Sequence, residues 1–383
     1  MELAIVITAY NRAAALSDLL SSLKNVKPVD KVEKVPLIIS IDNNGTSEVN
    51  KIAQDFTWHL GEKQVIIHPE KLGLVKHFIW TGDQTERYNH VIFLEDDLIV
   101  SPDLINYCSQ LIEYYDDDDR VAAASLYNPV LNEATGTKFY QLDDGSDVYF
   151  LQQPYWGNIW FKNKWREFKI FMESYHEKPE ILPSKVAGWK ASFKKKYVQY
   201  LIESGRTVVT PRISIVSNNG CAGLHNSNEP YMYQTVIRLG KEKYDFIELG
   251  KSDAVYDVFE EVKPEILKKY NKNLSGYDFE CDLNGTKHHI KKEYVLTSKR
   301  VKNSIFQYTS LMKPTEQGVV FNLLGNGEIA LAKTTDVIED VKYYRDRKFK
   351  DIQKNYSIST NSNTLRILWR MTKKYIMKKF KAS

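Results

Sequence analysis

The chain has 383 residues, of which 43% are hydrophobic and 12% aromatic. That is enough for two or three domains, or for one large domain with an appendage. A net charge of +4 is too mild to suggest nucleic acid, and the three cysteines (Cys108, Cys221, Cys281) are too few and too scattered for a disulfide framework or a zinc site. A reducing, cytosolic compartment is therefore the expectation, and no apolar stretch approaches the ~20 residues that cross a bilayer.

Taken in chain order, the first 125 residues alternate strand and helix. Strands are expected at Leu3 to Thr8, Val35 to Asp42, Gln64 to His68, around Val91 and at Val121 to Ser125. Helical spacing covers Ala13 to Leu23, Ser47 to Phe56, Leu74 to Glu86 and Pro102 to Tyr115. Strands separated by helices of this length predict a parallel sheet with helices on both faces. From Leu126 to Asn228 the chain is aromatic and loop-rich, around Tyr155-Trp156-Gly157-Asn158-Ile159-Trp160, with a helix from Lys185 to Glu203 and an extended piece from Thr207 to Val216. Residues 229–356 read as a mixed accessory region, with strands at Tyr294-Val295-Leu296 and Gly318 to Leu323. Gly325-Asn326-Gly327 before Glu328-Ile329-Ala330-Leu331 suggests a hairpin. A polar linker, Ser357 to Asn363, leads to residues 364–383. There Leu365, Leu368, Trp369, Thr372 and Ile376 share one helical face among many Lys and Arg. Such a basic amphipathic helix suits an anionic membrane surface, or docks on the protein's own body.

The most informative stretch is Val91-Ile92-Phe93-Leu94-Glu95-Asp96-Asp97. A buried strand that ends in three carboxylates sets them where α/β sheets bind ligands, outside the carboxyl ends of strands. The three repel one another unless a cation or a hydroxyl-rich ligand lies between them. The pattern points to a divalent metal site for a phosphate-bearing substrate; for a lone acidic triplet a solvated turn would be the simpler reading. Two other strands also end in polar groups, Thr8-Ala9-Tyr10-Asn11-Arg12 and Ser40-Ile41-Asp42-Asn43-Asn44-Gly45. Asp42 either caps a turn or accepts hydrogen bonds from a base or ribose. Lys71-Leu72-Gly73-Leu74 opens the next helix, and no dinucleotide or P-loop glycine fingerprint is present.

In this order, Tyr-Asn-Arg, Asp, Leu-Gly-Leu and Leu-Glu-Asp-Asp-Leu-x-x-Ser-Pro resemble the nucleotide-sugar-binding half of GT-A type glycosyltransferases. The chain is similar to bacterial envelope and capsular polysaccharide transferases, and more distantly to the N-acetylglucosaminyltransferase I group. The resemblance covers roughly Leu3 to Asn228. It implies a GT-A domain at 1–228, with a donor half at 1–125 and an acceptor half at 126–228. It further implies Mn²⁺ or Mg²⁺ held by Asp97, with His225 near the donor diphosphate as a further ligand. Glu95 and Asp96 would lie near ribose and sugar, Asp42 at the base, and Tyr10, Asn11, Arg12 and Lys71 around the nucleotide. Trp156, Gly157, Trp160, Trp165 and Trp189 would wall the sugar and acceptor pocket, unless these tryptophans are core.

The relatives carry an acid just before a tryptophan, where this chain has Val186-Ala187-Gly188-Trp189. Asp147, Glu173, Glu177 and Glu180 are the substitutes for a catalytic base, and the choice among them stays open. The expected activity is metal-dependent transfer from a nucleoside diphosphate sugar, most simply UDP-linked, to an envelope polysaccharide or lipid-linked glycan at the inner face of a bacterial membrane. The alternative is a catalytically silent, membrane-associated glycan-binding or scaffold protein that keeps the fold.

Overall fold

A computed structural model describes residues 1–190, 192–220, 231–309, 313–325, 327–343, 345–347 and 349. His225, Cys221, Asn326, the linker and the basic C-terminal helix lie outside the described residues. The chain begins with β1 (Leu3–Ala9), α1 (Ala13–Leu23), β2 (Leu37–Ile41), α2 (Ser47–Asp55), β3 (Lys63–Ile67) and α3 (Gly73–Asp83). It continues through β4 (His90–Glu95), β5 (Leu98–Val100), α4 (Leu104–Tyr115), β6 (Val121–Ser125), β7 (Val148–Leu151) and β8 (Asn158–Phe161). Next come α5 (Lys162–Glu173), α6 (Ser184–Ala187), α7 (Phe193–Ser204), β9 (Thr207–Pro211), β10 (Val216–Asn218) and β11 (Val255–Tyr256). The described chain closes with α8 (Pro264–Tyr270), β12 (Phe279–Asp282), β13 (Tyr294–Thr297), β14 (Arg300–Val301), β15 (Phe306–Tyr308), α9 (Gln317–Val320), β16 (Ile329–Lys333) and β17 (Val337–Ile338).

Nine strands form the central sheet in the order β11-β7-β9-β6-β8-β4-β1-β2-β3. The expected parallel arrangement holds for β3, β2, β1 and β4. Beyond them the sheet is mixed, because β8 runs antiparallel to both β4 and β6, and β7 antiparallel to β9. Alternate side chains of β1 explain the two covered faces. Leu3, Ile5 and Ile7 join the apolar stripes of α1, α2 and α4, while Val6 faces the aromatic cluster of Trp160, Trp165, Phe168 and Phe193.

Three expectations are corrected. The helix expected from Lys185 to Glu203 is broken: α6 ends before Gly188, and Ser192 restarts the chain by accepting the Lys195 N–H at 3.2 Å. Gly205 then ends α7 at φ +67°, a conformation that glycine adopts without strain. Gly318 to Leu323 is not a strand, since α9 occupies its first half and Asn322 turns the chain at φ +51°. Periodicity does not separate so short an apolar run into helix or strand. The hairpin partner of β16 is accordingly β15, with β13 on its other side.

A second sheet, β12-β13-β16-β15, follows the central one. Its core residues Phe279, Leu296, Tyr308 and Leu331 pack in one cluster with Tyr149, Leu151 and Tyr256 of the central sheet. The two sheets therefore share apolar packing, and β11, within the stretch assigned to the accessory region, is an edge of the central sheet. No helix among the described residues is long and apolar enough to cross a membrane.

Candidate donor-binding site

Register brings the polar strand ends together. Thr8 pairs with Glu95, Ala9 with Ile41 and Ile41 with Ile67, so Tyr10 to Arg12, Asp42 and the acidic triplet leave the sheet at one edge. Phe93 pairs with Asn158, which sets Trp156 and Gly157 at that same edge. The loops there are close-packed: a Cβ on Gly45 would fall 2.8 Å from the Tyr10 carbonyl oxygen.

Arg12 organises the acids. One guanidinium nitrogen, Nη1, lies 2.7 Å from Asp97 Oδ2, and Nη2 bonds Asp96 Oδ1. Burial pushes the Asp96 carboxyl up to about 6; Arg12 opposes that rise and the charge of Asp97 adds to it. Glu95 is raised as well, first by burial and then by Asp97. Asp97 differs from its neighbours in one respect: its Oδ1 is buried and has no hydrogen-bond partner. An orphaned carboxylate oxygen at a strand end fits a divalent cation, which commonly takes one or two carboxylates and completes its shell with substrate phosphates. Among the described residues no group of three potential ligands converges on one point, so a cage built from protein alone is not what these side chains offer.

Asp42 is 5% exposed, and its carboxylate is taken up by the backbone. Oδ1 accepts from Asn43 N at 2.8 Å and Leu72 N at 2.7 Å, and Oδ2 from Gly73 N at 2.9 Å. Burial would raise its pKa, but these three N–H groups outweigh it and hold the carboxyl below its ordinary value. Asp42 thus fixes the loop entering α3, and Lys71 of that loop reaches over the Tyr10 ring at 5.6 Å. Asn11 is exposed beside them.

Beneath Asp42 lies a group that sequence reading missed. Ser40 Oγ is 2.8 Å from His68 Nε2 and 2.7 Å from His77 Nε2, all three residues being buried. A hydroxyl carries one proton, so it donates to one ring and accepts from the other. Burial pushes His77 down to about 4, with His68 contributing and Asp42 opposing. A histidine with a depressed folded pKa stabilises the fold above its unfolded pKa of 6.5 and loses that contribution as pH falls through the folded value. We expect wild type to lose on the order of 3 kcal/mol between pH 6.5 and 4 from this site. Denaturant titrations of wild type and His77→Gln across that range check this; equal slopes would exclude it.

The aromatic residues divide. Trp156 is half-buried between Tyr127 (4.9 Å between centroids) and Tyr233 (5.3 Å), at the site edge. Gly157, at φ +65°, presses against Val216 and Leu126. Trp160 and Trp165 are corrections: at 1% and 3% exposure their rings lie 5.0 Å apart in the core and wall no pocket. All four residues of β8 are buried, because the strand runs between β4 and β6.

Among the described residues, no hydrogen bond or ion pair joins any of the four candidate bases to Glu95, Asp96 or Asp97. Asp147 is engaged by Lys241 at 2.6 Å, Arg238 at 3.2 Å and Asp245 N at 2.7 Å. Glu173, Glu177 and Glu180 are exposed, and Glu177 pairs with Lys195. The acid brought near half-buried Trp189 is instead Glu133. It binds Lys194 at 2.5 Å, and that ammonium lies over the rings of Tyr155 (4.0 Å) and Trp189 (5.5 Å). Burial would raise Glu133, but Lys194 and Lys185 hold it below its ordinary value. No sequence spacing announces this partnership, because Glu133 comes from a separate loop. After β10, Asn219 N donates to the Asp97 carbonyl at 2.8 Å, so the chain approaching residue 221 starts beside the acids.

Comparison with known proteins finds its family match in the N-terminal part of the chain. The GNT-I family model matches residues 1–144. The α-1,3-mannosyl-glycoprotein 2-β-N-acetylglucosaminyltransferase of Arabidopsis thaliana is 29% identical over 138 residues, which are 33% of this chain and 31% of that protein. The chain thus spans about a third of the curated relative that it matches. Among solved structures, S. aureus TarS 1–349 in complex with UDP-GlcNAc has a TM-score of 0.39 at 10% identity, covering 70% of this chain and 65% of that one. Mannosyltransferase PcManGT from Pyrobaculum calidifontis, in complex with GDP-Man and Mn²⁺, has a TM-score of 0.35 at 11% identity, covering 55% and 54%. GalNAc-T7 with UDP, GalNAc and Mn²⁺ has a TM-score of 0.41 at 11% identity, covering 57% and 43%. The stretch that holds Arg12, Asp42 and Glu95 to Asp97 is therefore similar to the GNT-I family, as its motifs implied.

Proposed function

We propose that the chain is a glycosyltransferase that moves a sugar from a nucleoside diphosphate sugar, most simply UDP-linked, to a glycan acceptor. One observation carries the reading: a family-matched strand end offers a buried, unpartnered carboxylate oxygen on Asp97. Mn²⁺ or Mg²⁺ held there would neutralise charge on the departing diphosphate. The protein's own groups do the positioning. Arg12 fixes Asp96 and Asp97, and Asp42 fixes the loop that carries Lys71 toward Tyr10. Trp156 and Tyr233 offer ring faces at the edge where the sugar would sit.

The acceptor proposed is an envelope polysaccharide or lipid-linked glycan on the cytoplasmic face of a bacterial membrane, with the basic stretch at 364–383 meeting anionic lipid. A silent scaffold is the second reading, favoured by the lysine-paired state of Glu133 and by the engaged or exposed state of the other acids. Nucleotide release from UDP-, GDP-, CMP- and dTDP-sugars, with Mn²⁺ or with chelator, separates the two. Metal-dependent turnover of one donor is the expected result. Silence together with no metal-dependent UDP binding would sink the donor-site assignment.

A further inference from the structure

A cavity of about 230 Å³ lies between the central body and the region of the second sheet. Ala134, Pro183 and Lys185 line it from one side; Thr286, His288, Lys299, Arg300 and Arg347 line it from the other. Its volume is room for roughly eight waters, enough for a phosphate and part of the group that it esterifies. The lining holds four permanent cations, Lys185, Lys299, Arg300 and Arg347, plus His288, against the carboxylates of Glu339 and Asp340. The cations are held in place rather than left trailing. Arg347 Nη1 donates to the carbonyls of Ser298 (2.7 Å) and Glu328 (2.5 Å), and Lys299 Nζ donates to the Lys287 carbonyl at 2.6 Å. Arg300 reaches Asp340 at 3.2 Å, Lys299 reaches exposed Glu339 at 3.1 Å and buried Asp282 at 3.8 Å, and Lys185 reaches Glu133 at 3.7 Å, so an anion here would share these cations with carboxylates already beside them. The Thr286 hydroxyl is buried without a hydrogen-bond partner.

The cavity also adjoins the acceptor half. Lys185 donates to the Glu133 carbonyl at 3.2 Å, and Ala134 is the next residue in the chain, so one wall is continuous with the cluster of Glu133, Lys194 and Trp189. Arg and Lys beside a hydroxyl donor recognise phosphate through charge-assisted hydrogen bonds. We propose that this cavity is an acceptor subsite that binds a phosphate ester on the acceptor, and so selects phosphorylated over neutral glycans. The inference rests on the transferase reading.

The test uses the full chain and calorimetric titration with N-acetylglucosamine 1-phosphate, N-acetylglucosamine and inorganic phosphate, each in the Asp97→Ala background so that the donor site does not contribute. The sugar phosphate should bind, the neutral sugar should not, and inorganic phosphate should bind more weakly. Adding Arg300→Ala with His288→Ala, both on exposed side chains, should weaken the sugar phosphate about tenfold or more. Three results would each overturn the subsite: no binding of the sugar phosphate up to about 10 mM, equal binding by the added variant, or inorganic phosphate bound as tightly as the ester. Failure of the donor reading shows elsewhere, as wild type that does not bind UDP with Mg²⁺.

Discussion

Asp97→Ala is expected to lower donor turnover about a thousandfold or more, on the order of 4 kcal/mol of lost transition-state stabilisation. The size follows from how few ligands the site offers. Arg12 holds Asp96 Oδ1 and Asp97 Oδ2, which leaves Asp97 Oδ1 as the buried carboxylate oxygen of the triplet with no partner. Without it, the charge that builds on the departing diphosphate loses its anchored counter-charge. Stability should move little. Asp97 raises the pKa of both Glu95 and Asp96, so its ionised form repels two neighbours in a partly buried setting. Losing the 2.7 Å ion pair with Arg12 opposes that relief, so the variant should melt close to the wild-type temperature while being inactive. Retained turnover, or inactivity explained by unfolding, would count against the assignment; calorimetry beside the nucleotide-release assay distinguishes them.

Local chemistry made the first 125 residues legible. β1, β2 and β4 are short, largely apolar runs buried on both faces, and acidic or amide side chains appear at or just past the end of each. For such strands the end of the run and the edge of the sheet coincide, so Arg12, Asp42 and the acidic triplet could be read together. Asp42 shows the limit of that reading. Its position follows from the strand, but its three N–H partners come from its own turn and from the loop at 71–73, which sequence does not place. Residues 126–228 were harder because their contacts are long-range. β8 enters the sheet antiparallel between β4 and β6, and only this insertion makes Trp160 core rather than pocket. Glu133 finds Lys194, and Ser40 gathers two histidines, through packing of separate elements rather than through any spacing.

The same long-range packing sets the largest loss of stability expected from a substitution, at Gly82 in the last turn of α3. A Cβ there would fall 2.0 Å from Cζ2 and 2.2 Å from Cε2 of Trp165, distances at which something must move. Trp165 has little room to give. It is 3% exposed, donates its Nε1 proton to Asp83 at 2.9 Å, and lies among Trp160, Phe168 and Phe193. Two effects oppose each other in Gly82→Ala. Helix propensity favours alanine by about 1 kcal/mol, whereas overpacking a filled core costs about 1–3 kcal/mol and occasionally more. With a rigid indole this close, the steric cost should win, giving a net loss of about 2 kcal/mol or more. The consequence reaches the site, because α3 carries His77 and opens with the Leu72 and Gly73 amides that hold Asp42. A shifted α3 should weaken UDP binding as well as stability. Pairing Gly82→Ala with Trp165→Leu tests the cause: the double variant should be less destabilised than the sum of the two single changes. Strict additivity would mean that the contact between α3 and α5 is not what fixes the donor loop.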